Sequence, residues 1–310
     1  MSMFRAGSKQ AHDINLLWWW MLAAAAIVFF GALALLGIAW LRRDTPGLPF
    51  FGARESVAEF MVLTFGIAIP VVALVALFGV SDIYLIRQTS PPASKTTAMT
   101  IHVIGHQFWW EVKYPGTDVV TANEIHIPVD KRVNVVVTTA DVIHSLWVPR
   151  LQRKIDTIPG QPNRILFDAD RVGVYRGQCS QFCGYQHAKM ALRVFVQRPA
   201  AYRSWLRGQE KPGVKPADQL EAEGSQVFFT SQCASCHTIA GTDAHGAIGP
   251  NLTHLGSRTS IASDTLSNTP AHLAEWLRNP QAIKPGSLMP DLGLSHSQVH
   301  ELVAYLESLR

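Results

Sequence analysis

The sequence predicts a multidomain membrane protein with a two-helix transmembrane hairpin, a β-sandwich and a small α-helical domain. Two long uncharged apolar runs, a middle region of short β-branched and aromatic runs, and a C-terminal region with helical apolar spacing support this fold class. A chain of 310 residues has room for two or three folded units. With 16% charged and 48% hydrophobic residues, it is too apolar for a disordered or nucleic-acid-coating chain.

The two apolar runs, Ile14 to Leu41 and Phe60 to Ser81, contain no charged residue. Each exceeds the roughly 20 residues that a helix needs to cross a bilayer, so we predict spans at about 15–41 and 58–81. Buried core helices are the alternative, but these are normally shorter and carry polar residues at helical spacing. A cleaved signal peptide is a poor alternative for the first run, which is too long and lacks a small-residue cleavage site before Arg42.

The connection between the predicted spans is rich in arginine, and tryptophans lie near the ends of the first span. The residues concerned are Arg42, Arg43, Asp44 and Arg54 in the connection and Trp18, Trp19, Trp20 and Trp40 in the span. Cytoplasmic loops carry an excess of Lys and Arg, and tryptophans collect at membrane interfaces. Both termini are therefore predicted outside the cytoplasm. Because Arg5 and Lys9 precede the first span, this argument also needs the cofactor motifs below.

The remaining chain divides into three segments that differ in composition and in the spacing of apolar residues. Residues 96–200 alternate short apolar runs with Pro, Gly and Asp turns, which predicts a β-sandwich or barrel of about 100 residues. Residues 201–220 predict a linker, within which Ala201 to Arg207 could form one short amphipathic helix. Residues 221–310 predict a small helical domain. Its helical spacing is clearest at Leu273, Trp276, Leu277, Val299, Leu302, Val303 and Leu306.

A C-x-x-C-H motif, Cys233 to His237, lies in the predicted helical domain. In such a motif the two thiols, of Cys233 and Cys236, add to haem vinyl groups and the imidazole of His237 becomes an axial iron ligand. A redox dithiol is the alternative, and four cysteines could also form two disulfides. The layout of a class I cytochrome c favours haem c, because a helix candidate precedes the motif, and Gly249 to Leu252 and a terminal helix follow it.

Met289 is the candidate sixth ligand of this haem. It is the only methionine after position 190 and lies on a Pro-flanked loop, Lys284 to Pro290. A thioether ligand raises the haem potential. Loop packing is the alternative role for Met289, and five histidines are competing ligands. They are His245, His254, His272, His296 and His300.

A second constellation places two cysteines, a histidine and a methionine within twelve residues, at Cys179, Cys183, His187 and Met190. Two thiolates, an imidazole and a thioether suit a soft, electron-transferring copper site. A cupredoxin-like β-domain gathers such ligands from one loop and adds a histidine from an earlier strand end, here His144. Two bridging thiolates can hold two copper ions that share one unpaired electron. The alternative is a disulfide between the two cysteines.

With these motifs, the chain resembles subunit II of a haem-copper oxidase with a fused cytochrome c domain, the caa-type arrangement, over nearly its whole length. The stretch from Asp141 to Gly160 matches the family as well. The resemblance implies a binuclear copper centre, CuA, with six ligands. They are the bridging thiolates of Cys179 and Cys183, the imidazoles of His144 and His187, the thioether of Met190 and the carbonyl oxygen of Gln181.

Three positions depart from the family pattern. Gln181 stands where the family usually has Glu, whose carboxylate helps bind magnesium or manganese at the subunit I boundary; an amide is a poorer ligand for a hard cation. Phe108, which precedes Trp109 and Trp110, replaces the tryptophan that in many relatives receives electrons. Glu59 is the nearest match to the acid that relatives use at the mouth of a proton pathway, about a helical turn out of register; the alternative role for Glu59 is an interfacial anchor.

The two predicted extracytoplasmic domains have opposite net charge. Residues 98–198 contain 12 Lys or Arg and 8 Asp or Glu, a net charge of +4, whereas residues 221–310 contain 4 and 8, a net charge of −4. Opposite charge favours docking of a tethered domain, and a short linker raises its effective concentration. Ordinary solvated surfaces are the alternative, since net charge does not fix the position of a patch.

The resemblance implies the electron-input subunit of a proton-pumping terminal oxidase in a bacterial-type inner membrane, with both cofactor domains on the periplasmic side. Haem c would pass electrons to CuA and on to subunit I, where oxygen is reduced. Implied partners are subunit I, subunit III, membrane lipid and an upstream quinol:cytochrome c-type complex or cytochrome c donor, with no nucleic acid. The copper subunit of a nitric oxide reductase and a membrane-tethered electron shuttle or copper carrier are the alternatives.

Overall fold

The computed structural model describes residues 4–41, 55–81, 83 and 96–310. They belong to two compact units, one comprising Met1–Ala11 and Pro91–Arg310 and the other His12–Ser90. The arginine-rich connection predicted between the two spans lies outside the described residues.

In the apolar unit, the described residues of 12–41, 55–81 and 83 form helical segments that enclose no buried core. Helix α1 (Lys9–Leu41) enters it from the N-terminal segment, and α2 (Glu55–Met61) continues through a π-helical turn (Val62–Ala68) into α3 (Ile69–Val80). Two stretches, Lys9–Leu41 and Glu59–Val80, have mean hydropathies of 2.5 and 2.6 and are long and apolar enough to cross a membrane. No residue in their most apolar windows is buried, which differs from the buried-core alternative.

Ten strands form two five-stranded sheets packed face to face. The first sheet has the order β3-β2-β1-β5-β8 and the second β4-β10-β9-β6-β7. The strands are β1 (Met99–His106), β2 (Trp109–Lys113), β3 (Val120–Ala122), β4 (Glu124–Pro128), β5 (Arg132–Thr139), β6 (His144–Trp147), β7 (Ile155–Thr157), β8 (Asn163–Asp168), β9 (Gly173–Cys179) and β10 (Ala191–Gln197). Alternate side chains enter one core, which includes Ile101, Val135, Phe167 and Val194. Pairing of Leu146 with Cys179 brings the start of β6 beside the end of β9.

The N-terminal segment that precedes α1 packs on this sandwich. The amide of Gly7 donates to the Arg150 carbonyl at 2.8 Å, and the amide of Asp170 donates to the Gly7 carbonyl at 3.1 Å. A Cβ on Gly7 would lie 2.2 Å from the Tyr175 ring, so only glycine fits this close approach. Ser8 forms a further β-bridge with Ala169. The beginning of the chain is thus part of the same compact unit as the β-sandwich.

Part of the predicted linker is a helix packed on the sandwich. Helix α4 (Pro199–Gln209) begins with a proline, whose fixed φ suits the first helical turn. Its Trp205 ring stacks on His126 with centroids 3.9 Å apart, and Tyr202 is buried. The amphipathic helix considered for Ala201 to Arg207 is therefore present, and the extended part of the segment is confined to 210–218.

The C-terminal residues form a small helical domain built on two crossing helices. Its elements are α5 (Gln219–Thr230), α6 (Cys233–Cys236), β11 (Ser260–Ile261), β12 (Leu266–Ser267), α7 (Pro270–Arg278), α8 (Pro280–Ile283) and α9 (His296–Ser308). Asp218 caps α5 and Ser295 caps α9 in a capping box with Gln298. A Cβ on Gly224 would lie 2.0 Å from the Glu301 carbonyl, so this glycine lets α5 and α9 approach closely.

Candidate metal and haem centres

Six candidate copper ligands meet at one end of the sandwich. The two thiol sulfurs, of Cys179 and Cys183, lie 3.8 Å apart. The His144 Nδ1 atom is 3.9 Å from the Cys179 sulfur, and the His187 Nδ1 atom is 3.7 Å from the Cys183 sulfur. Two further donors complete the set: the Met190 thioether, 3.8 Å from the Cys183 sulfur, and the Gln181 carbonyl, 3.2 Å from the Cys179 sulfur. Two soft sulfurs flanked by two imidazoles fit a binuclear copper centre.

The fold determines how these donors converge. His144 begins β6, Cys179 ends β9, and the other donors follow on the loop that leads into β10. A Cβ on Gly105 would lie 2.7 Å from the His144 ring, so glycine in β1 makes room for this imidazole. All four cysteines of the chain are free thiols, which differs from the disulfide alternatives.

The Asp141 carboxylate orients the His144 ring from behind. Its Oδ1 atom lies 2.8 Å from His144 Nε2, which leaves Nδ1 facing the sulfurs. Burial raises the pKa of Asp141, but the hydrogen bonds from His144 and from the amides of Gln107 and Val142 outweigh it and leave the pKa below its usual value. A carboxylate behind a metal-binding histidine fixes the tautomer and increases the basicity of the ligand. The sequence signal for this residue is its position three residues before His144.

The two thiols share one proton unequally. The hydrogen bond between the two sulfurs lowers the pKa of Cys179, and the negative charge of the Cys179 thiolate raises the pKa of Cys183. Two acids this close lose their protons in two separate steps. A cationic metal centre would displace the second proton, because both sulfurs must be thiolates to bind it.

A cavity of about 230 Å³ lies beside the C-x-x-C-H motif in the helical domain. Its lining includes both motif cysteines, His237 and Met289. The His237 Nδ1 atom lies 2.7 Å from the Pro250 carbonyl, which leaves the other ring nitrogen for a ligand. Burial lowers the pKa of His237, so the imidazole is neutral at pH 7, as iron ligation requires. None of the five competing histidines of residues 221–310 lines this cavity.

Arg258, which the sequence analysis did not single out, also lines the cavity. Its side chain is partly buried, one guanidinium nitrogen donates to the Asn251 carbonyl, the buried Nε atom has no hydrogen-bond partner, and burial lowers the pKa of Arg258 to about 10. A buried N–H donor without a partner calls for a hydrogen-bond acceptor in the cavity. The haem carboxylates supply such a group, so the lining fits haem c in charge as well as in ligands. No local motif surrounds Arg258 that would have revealed this role.

Comparisons with known proteins agree with both sites. The family "Cytochrome C oxidase subunit II, periplasmic domain" matches residues 118–197, and the cytochrome c family matches residues 221–310. Cytochrome c oxidase subunit 2 of Alkalihalophilus pseudofirmus is 35% identical over 246 residues, which cover 78% of this chain and 71% of that protein. The chain belongs to the cytochrome c oxidase subunit 2 family.

Two further members of this family are similar to the chain. Cytochrome c oxidase subunit 2 of Bacillus sp. (strain PS3) is 30% identical, and the match covers 81% of this chain and 72% of that protein. A crystal structure of the periplasmic domain of subunit II from Bradyrhizobium japonicum is 33% identical, with a TM-score of 0.36, and the match covers 36% of this chain and 94% of that chain.

Membership of the subunit 2 family confirms the predicted fold class, namely two apolar N-terminal helices, a cupredoxin-like sandwich and a cytochrome c domain. It also makes the chain a component of a terminal oxidase, associated with subunit I. The matched domains imply CuA copper and haem c. Members are anchored in the membrane with an extracytoplasmic domain, which agrees with the predicted topology.

In this subunit 2 chain the copper and haem domains are docked through a short hairpin. The docking hairpin, Ser260–Ser267, contains three consecutive left-handed residues at its tip, Ala262, Ser263 and Asp264. The Asp264 carboxylate accepts hydrogen bonds from Arg193 at 2.6 Å and Arg176 at 2.7 Å. Ser263 donates to the Ala191 carbonyl at 2.9 Å. The acid lies on the haem domain and both arginines on the copper domain, as net charge predicted.

A buried carboxylate makes a second docking contact. Glu124, on β4 of the copper domain, accepts from the amide of Thr259 at 2.8 Å and from its hydroxyl at 2.6 Å. Burial raises the pKa of Glu124, but the hydrogen bonds from His126 and Thr259 outweigh it and leave the pKa below its usual value. The carboxylate is therefore ionised at pH 7, where it binds the haem domain most strongly.

Of the three aromatic residues predicted at electron entry, two lie between the two cofactor sites. Phe108 and Trp109 line the haem cavity together with Gln107, so the copper domain supplies part of the cavity wall. The Gln107 side chain donates to the Cys183 carbonyl at 2.6 Å. Trp110 instead points into the sandwich, where its ring lies 5.9 Å from the His144 ring. Glu59 is exposed on α2 in the apolar unit.

Proposed function

We propose that this chain is the electron-input subunit of a respiratory oxidase, which passes electrons from an upstream donor through haem c and CuA to subunit I for oxygen reduction coupled to proton translocation. One observation carries the proposal: a single residue, Gln107, lines the haem cavity and donates a hydrogen bond to a candidate copper ligand. The two centres are thereby adjacent within one compact unit. Direct transfer between them is the role that this arrangement supports best.

In this proposal six donors hold the copper. The thiolates of Cys179 and Cys183, the imidazoles of His144 and His187 and, more weakly, the thioether of Met190 would hold the two ions. The Gln181 carbonyl is the sixth donor. Two ions that share one electron supply transfer with little nuclear rearrangement. Burial of both sulfurs and of His144 keeps water away from the centre.

Four residues hold the haem. Cys233 and Cys236 would attach the haem covalently through their sulfurs, and His237 and Met289 would be its iron ligands. Such a centre supplies one-electron chemistry at a potential that the Met ligand raises. The Pro250 carbonyl fixes the His237 tautomer, and Arg258 neutralises haem carboxylate charge.

The N-terminal segment supports the proposed topology. Gly7 and Ser8 are bound to the copper domain, while the candidate spans lie between them and that domain in sequence. A segment whose two ends lie on one side of a membrane must cross it an even number of times. Two crossings, with both termini and both cofactor domains on the periplasmic side of a bacterial-type inner membrane, satisfy this condition.

Several finer assignments complete the proposal. The electron donor is a quinol:cytochrome c-type complex or a cytochrome c, subunit III and lipid are further neighbours, and Glu59 serves proton entry. The exposed side chain of Gln181 offers an amide to the subunit I boundary, where it binds magnesium less well than a carboxylate would.

Replacement of Cys183 by Ser in the intact complex tests the proposed route. The substitution removes a bridging thiolate and leaves all four haem residues untouched, so copper is lost and haem c remains reducible. After mixing with oxygen, stopped-flow absorbance at the haem c band should show haem c held reduced in the variant and rapidly reoxidised in wild type. A gel confirms that subunit I is still bound. Wild-type reoxidation in a copper-free, assembled variant would refute the route.

A further inference from the structure

Three hydrogen bonds connect the predicted haem-ligand loop directly to the copper domain. They converge on Ile283, Lys284 and Pro285, which begin the loop that carries Met289. Gln186 Nε2 donates to the Pro285 carbonyl at 2.7 Å, and Lys189 Nζ donates to the Ile283 carbonyl at 2.5 Å. In the opposite direction, Lys284 Nζ donates to the Phe108 carbonyl at 2.7 Å. The two donors from the copper domain flank His187, a candidate copper ligand.

Lys284 occupies an unusual position at this contact. The residue is 3% exposed and lines the haem cavity, yet among the described residues no carboxylate lies within ion-pair distance of its Nζ atom. Its acceptors are two carbonyls, Phe108 at 2.7 Å and Ala262 at 3.2 Å. Burial, together with the nearby Lys189, lowers the pKa of Lys284 to about 7. The buried amine is therefore not hydrated; it forms one hydrogen bond to the copper domain and one to the docking hairpin.

The rest of the Met289 loop is held from within the haem domain. Gln281 donates to the carbonyls of Met289 at 2.7 Å and Ser287 at 2.9 Å, and its own oxygen accepts from the Gly286 amide at 2.9 Å. The amide of Ser287 donates to the Lys284 carbonyl at 3.1 Å. Gln281 thus fixes the far end of the loop, whereas the copper domain fixes its beginning.

We propose that Lys284 is a positioning residue that helps to keep Met289 in place as the sixth haem ligand. It acts at a junction between the two domains, where Ile283–Pro285 contact Phe108, Gln186 and Lys189 of the docked copper domain. The proposal rests on the assignment of Met289 made above. The hydrogen bonds that anchor the beginning of the loop exist only when the domains are docked, so loosening the junction would make it easier for the thioether to leave the iron. Retention of Met289 as a haem ligand therefore depends on the copper domain as well as on the haem domain.

Competition by free imidazole for the ferric haem c measures how readily Met289 leaves the iron. The assay uses the intact oxidase, titrated with imidazole and followed by the optical spectrum of haem c. Lys284→Met keeps the length of the side chain and removes its donor, and Lys189→Met does the same from the copper domain. Loss of one such hydrogen bond should raise the apparent imidazole affinity by about twofold to tenfold. Arg278→Met, on an exposed cation of the same domain, is the matched control and should leave the affinity unchanged.

The Lys189 variant distinguishes an effect of the contact between the domains from an effect confined to the haem domain, because Lys189 lies in the copper domain. A shift with Lys284→Met but not with Lys189→Met would confine the effect to the haem domain and overturn the junction. Unchanged affinity in both variants would overturn it as well. Met289→Ala sets the upper limit of imidazole affinity, and its failure to exceed wild type would show that Met289 is not the ligand. Wild-type reoxidation in the Cys183→Ser variant would instead refute the electron route, and the conclusions drawn from the imidazole affinities would remain valid.

Discussion

Replacing Asp264 by Asn should weaken the docking of the haem domain on the copper domain without disturbing either fold. Asp264 has a φ of 59°, in the left-handed region that Asn and Asp adopt most readily after glycine. The substitution therefore keeps the conformation of the hairpin. It removes the negative charge that Arg176 and Arg193 share, and it turns an amide NH2 toward one of these donors.

The expected loss follows from the exposure of the three side chains. The Asp264 side chain is 3% exposed, whereas those of Arg193 and Arg176 are 32% and 53% exposed. A charge-assisted bond to the better-buried arginine contributes about 2 kcal/mol, and the more exposed pair about 0.5 kcal/mol. A total of roughly 2–3 kcal/mol corresponds to a docking constant lower by about 30- to 150-fold.

Amide hydrogen exchange in the intact complex measures this change. The Thr259 amide donates to Glu124 across the interface, so its protection requires docking, whereas the Phe228 amide lies within α5 and reports the haem domain alone. In the Asn variant the Thr259 amide should exchange about 30 to 150 times faster, with no change at Phe228. Asp243→Asn, at an exposed acid of the same domain, is the matched control. Exchange at Thr259 that is no faster than in this control would refute the energetic argument.

Two further predictions concern the ligands. Met289→Ala should leave haem covalently attached, because the thioethers to Cys233 and Cys236 do not depend on the sixth ligand, and should lower the potential of haem c in a redox titration; an unchanged potential would place the ligand elsewhere. Asp141→Asn should reduce copper affinity by about 10- to 100-fold, because His144 loses the carboxylate that orients it. Copper retention against a chelator measures this, with exposed Asp118→Asn as the control, and equal retention in the two variants would contradict the role of Asp141.

The cofactor motifs could be predicted from sequence because their donors are close along the chain. Cys179 to Met190 and Cys233 to His237 each occupy a single short stretch, so spacing alone restricts the chemistry. His144 required a fold argument, since it reaches the sulfurs only through the pairing of β6 with β9. Arg258 had no such signal, because its role depends on a cavity that forms only when distant segments pack together.

Net charge predicted only part of the docking interface. The pairing of Asp264 with Arg176 and Arg193 has the sign that the domain totals suggest, acid on the haem domain and base on the copper domain. Two other contacts reverse it, because Glu124 belongs to the basic domain and Lys284 to the acidic one. Both are buried and bind polar groups rather than opposite charges. A sum over a domain cannot predict contacts of that kind.

The haem cavity takes part of its wall from the neighbouring domain, and this has a practical consequence. Gln107, Phe108 and Trp109 close a side of the cavity that would be open to water if the haem domain were cut out at the 210–218 segment. Water at the haem edge favours the charged ferric state, so an excised domain would show a lower midpoint potential than the same haem in the whole subunit. Redox values measured on the separate fragment therefore cannot be transferred to the enzyme.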